Sequence, residues 1–332
     1  MAKIPIAIIG AGGMGGRHLR ALKALYDSGM SNVELVAVCD TRKDNANRLA
    51  DLAESMLNYR PKVFTEMEIM KKERPDILAV DITTDSGSHH QVAEMAFDLE
   101  YNVLCEKPLS ITIKGCNKVI AAWKKSGKVL SVAEQERRDP ICRLNKAILD
   151  AGIIGDPYSF LLGSARGGKD IIILPWRHYK NSGGIFVDAG VHVVDQMMYY
   201  LGDIEEVFAT SKIWEPKRYK GKKIGVSNFY DHWKQEIPEE IEATSEDMVI
   251  STLKFKNGAI GQWTSFFAAH GEPLEYGMIY GSEGSLEPAK QRRGNPLNIN
   301  LGGGEIISGD NVLELVPDFH LDELTSRLFG SD

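Results

Sequence analysis

A short apolar run, Ile4–Ile9, leads directly into Gly10-Ala11-Gly12-Gly13-Met14-Gly15. Glycine-rich turns are common, but this one has a buried strand before it and a helix after it. Arg17–Asp27 reads as that helix, with Met14, His18, Leu22 and Leu25 on one side. A second apolar run, Val33–Val38, ends in Cys39-Asp40. Strand, glycine turn, helix and a second strand closing on an acid make up the dinucleotide fingerprint. Gly10 permits the tight turn and Gly12 lets backbone approach a pyrophosphate. Gly15 lets helix and strand pack closely. Gly13 and Met14 belong to the same turn. The helix start adds free N–H groups and partial positive charge for the phosphates.

Asp40 stands where a carboxylate would accept hydrogen bonds from the adenosine ribose. It would also repel a 2′-phosphate, by roughly 4 kcal/mol at 4 Å and an effective dielectric near 20. This favours NAD and leaves NADP possible. Arg42 has three readings: a grip on a 2′-phosphate, a stack on adenine, or a plain surface residue.

The alternation of strand and helix continues. Asn45–Tyr59 and Ile69–Glu73 read as helices and Asp76–Ile82 as a strand. Gln91–Glu100 is a helix, Asn102–Cys105 a strand, Lys114–Ser126 a helix and Val129–Val132 a strand. Such alternation implies a doubly wound parallel sheet with ligands at its carboxyl edge. Thr83, Thr84 and Ser86 fall at that edge, as candidates to touch a cofactor. His89 and His90 open the next helix, and capping or packing is their plainer reading. Glu106-Lys107-Pro108 ends a strand. Pro108 keeps Lys107 out of the helical region and raises the chance of a cis bond, so Lys107 is fixed pointing toward bound cofactor.

The chain has 332 residues, too many for one ordinary core. Two domains are expected: a dinucleotide-binding domain over 1–133 and a substrate and oligomerisation domain over 134–332. A net charge of −7 argues against nucleic acid as a partner. Two basic runs, Lys217–Lys223 and Gln291-Arg292-Arg293, read as solvated loops. The four cysteines lack CxxC spacing, which fits reduced thiols in a cytoplasm. No apolar run approaches the roughly 20 residues of a membrane span, and glycines interrupt the first apolar run too soon for a signal peptide.

The second concentration of chemistry is Gly183-Gly184-Ile185-Phe186-Val187-Asp188-Ala189-Gly190-Val191-His192-Val193-Val194-Asp195. On one helix Asp188, His192 and Asp195 would lie near a common face. Such a trio is a half-built metal site, a general base with its orienting acid, or a satisfied pair in a helix interface. No second His or Cys lies at ligand spacing, so no metal is expected.

Together the glycine turn, Thr84 with His89, the Val103-Leu104-Cys105-Glu106-Lys107-Pro108-Leu109 segment and the Asp188/His192 stretch resemble the glucose–fructose oxidoreductase / inositol dehydrogenase / MocA family. The resemblance covers nearly the whole chain. It implies an N-terminal Rossmann domain and a C-terminal α/β domain with a large, open, mostly antiparallel sheet. It implies hydride transfer between nicotinamide and a carbinol of a sugar, polyol or inositol-like compound. Lys107, Asp188 and His192 would form the catalytic group, and Asp188 would orient substrate or His192. Asp195 would be a helix-orienting residue. Glu106, His89 and the strand-end residues would line the cofactor. Assembly would be a homodimer or homotetramer through the C-terminal sheet. Alternatives are a redox-neutral lyase or glycosidase that oxidises its sugar transiently, and a non-enzymatic NAD-binding sensor. Glu136 stands where many relatives carry Asn, which bears on the substrate class.

In the second half, Cys142–Asp150 reads as a helix stopped by Gly152, and Tyr158–Ser164 as a strand. Arg137, Arg166, Trp176, Arg177 and Tyr179 could give a sugar an aromatic face and hydrogen-bonding heads. Glu215–Glu246 is a polar excursion, either a flap beside the site or an exposed loop. Asn257-Gly258 signals a two-residue hairpin between Met248–Lys256 and Ala259–Phe267, with Leu274–Tyr280 pairing next. Gly302-Gly303-Gly304 lacks a strand–turn–helix setting and reads as a turn. The chain stops after Leu321–Phe329, before the closing helix the family usually carries.

Overall fold

The computed structural model describes residues 3–221, 228–288 and 297–329. The chain divides into two compact units. The first comprises Met1–Ala133, Asn181–Gly183 and Lys223–Ile237; the second comprises Glu134–Lys180, Gly184–Lys222 and Pro238–Asp332.

The first unit follows the expected alternation. In chain order it runs β1 (Ile4–Ile9), α1 (Gly13–Asp27), β2 (Val33–Cys39), α2 (Lys43–Leu57), β3 (Lys62–Phe64) and α3 (Met67–Glu73). It continues with β4 (Ala79–Ile82), α4 (His89–Asp98), β5 (Asn102–Cys105), α5 (Ile113–Ser126) and β6 (Leu130–Val132). All six strands are parallel, in the order β3-β2-β1-β4-β5-β6. This is the doubly wound arrangement, with its switch point between β1 and β4. Helix α2 shows why these segments coil. Ala46, Leu49, Ala50 and Ala53 recur at helical spacing and are all fully buried. Thr112 caps α5 by accepting from Gly115 N (3.0 Å), and Gly127 at φ +66° ends it. Strand β3 spans three residues, too few to show a period in the sequence.

The second unit runs α6 (Pro140–Asp150), β7 (Pro157–Gly167), α7 (Gly184–Asp188), α8 (Gly190–Leu201), β8 (Ile204–Lys212), β9 (Lys217–Tyr219) and β10 (Glu240–Glu242). It then continues with β11 (Met248–Phe255), β12 (Ile260–Ala269), β13 (Leu274–Gly281), β14 (Gly284–Glu287), β15 (Asn298–Leu301), β16 (Ile306–Ser308), α9 (Asn311–Glu314) and α10 (Glu323–Phe329). Eight strands form one sheet, in the order β16-β15-β14-β13-β7-β12-β11-β8. Helices α6 and α8 cover one face, where Ile148, Met197, Tyr200, Phe160, Leu253 and Ile279 form the core.

Several local expectations change. Strand β13 pairs with β7 and not with β12, and β7 runs parallel to β12. The sheet is therefore mixed, although most of its pairs are antiparallel. The Asn257-Gly258 hairpin closes with three residues, because Phe255 N bonds Ala259 O (2.9 Å) and Gly258 takes φ +88°. The glycine sits at the left-handed position that follows a type I turn. The run containing Arg218 is not a solvated loop. Arg218 lies in β9, is fully buried, and donates to Gly168 O, Phe267 O and the buried Asp247 carboxylate (2.7 Å). A guanidinium offers five donors, and these acceptors offset its desolvation. Lys222 and Lys223 of that run, and Gln291-Arg292-Arg293, lie outside the described residues. Gly302–Gly304 does form a turn, with Gly303 and Gly304 at positive φ.

The glycine turn generates a stability contrast. Gly10 has φ +95°, and a Cβ there would lie 2.7 Å from Thr84 N. Gly12 has an ordinary φ and open space around the same position. Gly10→Ala is expected to cost on the order of 2–4 kcal/mol in urea unfolding, whereas Gly12→Ala should stay within about 0.5 kcal/mol. Equal costs at the two positions would contradict this account.

Candidate functional site

The first unit carries one half of the candidate chemistry, at the carboxyl ends of β1, β2, β4 and β5. Gly10 packs its Cα against Thr83–Thr84 backbone, and Thr83 Oγ1 donates to Gly10 O (2.6 Å). Gly15 lies so close to Gly10 O that a Cβ would come within 2.4 Å of it. Helix α1 can therefore start against the strand with its first N–H groups facing outward. Met14 and Gly13 occupy its first turn. Asp40 accepts from Ala11 N (2.6 Å) through Oδ2 and from Arg42 N (2.8 Å) through Oδ1. Each carboxylate oxygen keeps a further lone pair for a ribose hydroxyl. Arg42 points to Asp44 (2.9 Å) and Glu236 (3.4 Å), both exposed carboxylates. This arrangement leaves Gly12 uncovered and the acid at the end of β2, which fits a dinucleotide on the turn.

Beneath this edge lies a network absent from the sequence reading. His18 Nδ1 is 2.7 Å from Asp81 Oδ2, and its Nε2 is 3.0 Å from Glu106 Oε1. Glu106 is buried, and its Oε2 accepts from Lys107 N (2.9 Å). Each Glu106 oxygen thus has a partner inside the protein. Its neighbour Lys107 is half-buried, and the Lys107–Pro108 bond is cis. His89 is likewise committed. It is 1% exposed, with Nδ1 2.7 Å from Pro108 O and Nε2 3.1 Å from Thr84 O. His89 and Glu106, expected above to line the cofactor, thus each have two contacts within the first unit. Ser86 is buried, and Thr84 accepts from Ser88 Oγ (3.0 Å).

The second unit carries the other half. Asp188, His192 and Asp195 do not share one continuous helix. Helix α7 ends at Asp188 and α8 begins at Gly190. A Cβ on Gly190 would lie 2.5 Å from the Trp263 ring, so glycine lets this break seat against β12. Each polar residue has its own partner. Asp188 is buried and pairs with Arg177 Nη2 (2.8 Å). His192 Nδ1 is 2.8 Å from both oxygens of Glu134. Asp195 takes both an Nε and an Nη2 contact from Arg137. Of the two roles expected for Asp188, on substrate or on His192, these contacts favour neither: the acid at His192 Nδ1 is Glu134, and Asp188 faces Arg177. Both oxygens of Glu134 lie in reach of Nδ1, whereas Asp188 is drawn to a guanidinium.

Of the remaining candidates, Arg177 also lies over the Trp176 ring (5.2 Å), and Arg137 lies over Tyr199 (5.3 Å). Tyr179 is half-buried in the same segment, and Arg166 is exposed on β7. Glu136 accepts from Gln196 Nε2 (2.7 Å) and borders a cavity of about 230 Å³ with Asn145, Tyr200 and Tyr276. His192 does not line that cavity. His178 is buried, and its Nε2 accepts from Ile172 N (2.9 Å). Burial and the nearby Arg218 charge push its pKa down to about 4.

A doubly wound parallel sheet with this turn and acid defines a dinucleotide-binding α/β protein with a second, sheet-based unit. Residues 4–134 match the model of an oxidoreductase family with an NAD-binding Rossmann fold. Residues 143–287 match the glucose–fructose oxidoreductase / inositol dehydrogenase / MocA C-terminal domain. The chain belongs to that family. It is 28% identical to myo-inositol 2-dehydrogenase of Thermotoga maritima, over 77% of this chain and 66% of that protein. It is 27% identical to D-glucoside 3-dehydrogenase of Escherichia coli, over 77% of this chain and 68% of that protein. A levoglucosan dehydrogenase solved in complex with NADH shares the fold at a TM-score of 0.74 and 22% identity, over 98% of this chain and 87% of that one.

The His18 network gives a pH dependence. Burial alone depresses an imidazole pKa, but the Asp81 and Glu106 carboxylates overcome this and push His18 from 6.5 up to about 10. Its contribution to stability is complete below about pH 6.5 and is lost as pH rises toward 10. Melts of the wild type are expected to fall across that window. His18→Gln should melt lower at pH 6 and follow a flatter curve. Parallel curves for the two proteins would refute the charged pairing.

Proposed function

We propose that the protein is an NAD-dependent oxidoreductase acting on a carbinol of a sugar, polyol or inositol-like substrate. The His192–Glu134 pair is the observation that carries this reading. A carboxylate accepting from Nδ1–H leaves the Nε2 lone pair available, which is the state a general base requires. His192 takes the hydroxyl proton at Nε2. Lys107, in the first unit, is the second candidate, as a hydrogen-bond donor that stabilises a developing alkoxide. Asp188, through Arg177, fixes the guanidinium beside Trp176, giving substrate hydroxyls a donor next to an aromatic face. When bound, NAD supplies the hydride acceptor at its nicotinamide ring. Gly10, Gly12, Gly13, Met14, Gly15, Asp40 and the Thr83–Ser86 edge hold the dinucleotide. The acid of Asp40 and the engagement of Arg42 by two carboxylates favour NAD over NADP. Support for the substrate class comes from the relatives, which are named for inositol and glucoside oxidation.

Lys107→Ala and His192→Ala are each expected to lower kcat by roughly 10²–10⁴, with NADH binding retained by fluorescence titration. Glu134→Gln should lower kcat less and shift the acid limb of the pH profile. Full turnover in either alanine variant would end this reading. An absorbance screen of polyols, aldoses, sugar acids and glycosides with NAD and NADP identifies the substrate.

Self-association through the large sheet is part of the same proposal. On β8, β11 and β12 the sheet exposes Phe208 (77%), Ile250 (45%) and Ile260 (55%), with Phe208 opposite Thr252 and Ile260 opposite Lys254. Isolated apolar residues are ordinary on a surface, but three on adjacent strands suit a second copy. Phe208→Asp is expected to shift the sedimenting mass toward the monomer, and an unchanged mass would exclude this face.

A further inference from the structure

We infer that Phe229, Tyr230 and Trp233 form the outer wall of the dinucleotide site and slow release of the dinucleotide. This rests on the cofactor reading above and goes beyond it, since the sequence gives this segment no nucleotide signature.

The segment belongs to the long polar excursion between β9 and β10. Its described part folds as a 3-10 helix, Asn228–Glu236, within the first unit. It is held there by arginines of α1 and α2. The Arg17 and Arg20 guanidiniums lie 5.3 and 5.6 Å from the Phe229 ring centroid. Arg48 lies 4.6 Å over the Trp233 ring, and its Nη2 donates to Ala11 O (2.5 Å). Arg48 thus joins the wall directly to the glycine turn. Glu236 adds the contact to Arg42. Trp233 is buried at 9% exposure.

Gly13 supplies independent support. It is the one surplus glycine of the fingerprint, which asks for glycine at Gly10, Gly12 and Gly15. Its φ is not positive, so backbone conformation does not require it. Phosphate binding needs only its N–H. What excludes a side chain is the Tyr230 ring, whose Cε1 would lie 2.5 Å from a Cβ on Gly13, with Phe229 O at 2.9 Å. At Gly12 the corresponding space is open. The turn therefore has one side free for a ligand and one side covered by an aromatic residue. A wall of this kind excludes water beside the helix start and strengthens N–H to phosphate attraction there. Three cation–π contacts of exposed type correspond to roughly ten- to hundredfold in an opening equilibrium.

Stopped-flow displacement of NADH from the full chain tests this, with circular dichroism to confirm folding. The double variant Phe229→Ala/Trp233→Ala, which removes the three cation–π contacts, is expected to raise the dissociation rate about ten- to hundredfold, and Tyr230→Ala, which uncovers Gly13, should raise it by more than about twofold. Gly13→Ala should raise it similarly, because its methyl group displaces the ring. The Gly13→Ala/Tyr230→Ala double variant should then be no faster than Tyr230→Ala alone. Rates within twofold of wild type in the aromatic variants would overturn the inference, as would full additivity of Gly13→Ala with Tyr230→Ala. Failure of wild type to bind NADH at all would overturn the cofactor reading with it.

Discussion

The contact between the Gly10 Cα and the Thr83–Thr84 backbone is the constraint on which the first unit depends. Two parallel strands can bring their carboxyl ends this close only if no side chain intervenes. The close approach lets Thr83 bond Gly10 O, and it sets where α1 begins. Gly15 repeats the requirement one turn later. Helix start, strand ends and the Asp40 carboxylate are then arranged by backbone, which is why so little side-chain chemistry is needed to seat a phosphate.

A second theme is how the units handle buried charge. The first places one imidazole between two carboxylates. The second buries Arg218 against Asp247 and four carbonyl oxygens, and Asp188 against Arg177. In each case removal of one partner strands a charge in a poorly solvated place, at a cost of about 3–5 kcal/mol. His178, close to Arg218, is kept neutral by burial and by that charge, and its Nε2 accepts a backbone N–H. These clusters fix geometry around the candidate site more firmly than apolar packing alone would.

Much of this was legible in the chain. Strand–glycine–helix order, the acid after β2 and the Lys-Pro element are local patterns, and local patterns survive reading one residue at a time. The partners were not legible. Glu134 meets His192 across 58 positions, and His18 meets Glu106 across 88. No spacing rule relates such pairs. The break at Ala189 was hidden because the run on either side is helix-compatible, and only the Trp263 ring shows why a glycine follows. Nothing in the basic run around Arg218 distinguishes it from a solvated loop, because its acceptors lie far along the chain.

His89 joins the loop after β4 to the turn after β5, with one ring nitrogen on each carbonyl. The edge that would grip a dinucleotide and the peptide that carries Lys107 therefore move as one plate. A substitution that adjusts either would disturb the other. Such coupling leaves little freedom for divergence in the first unit.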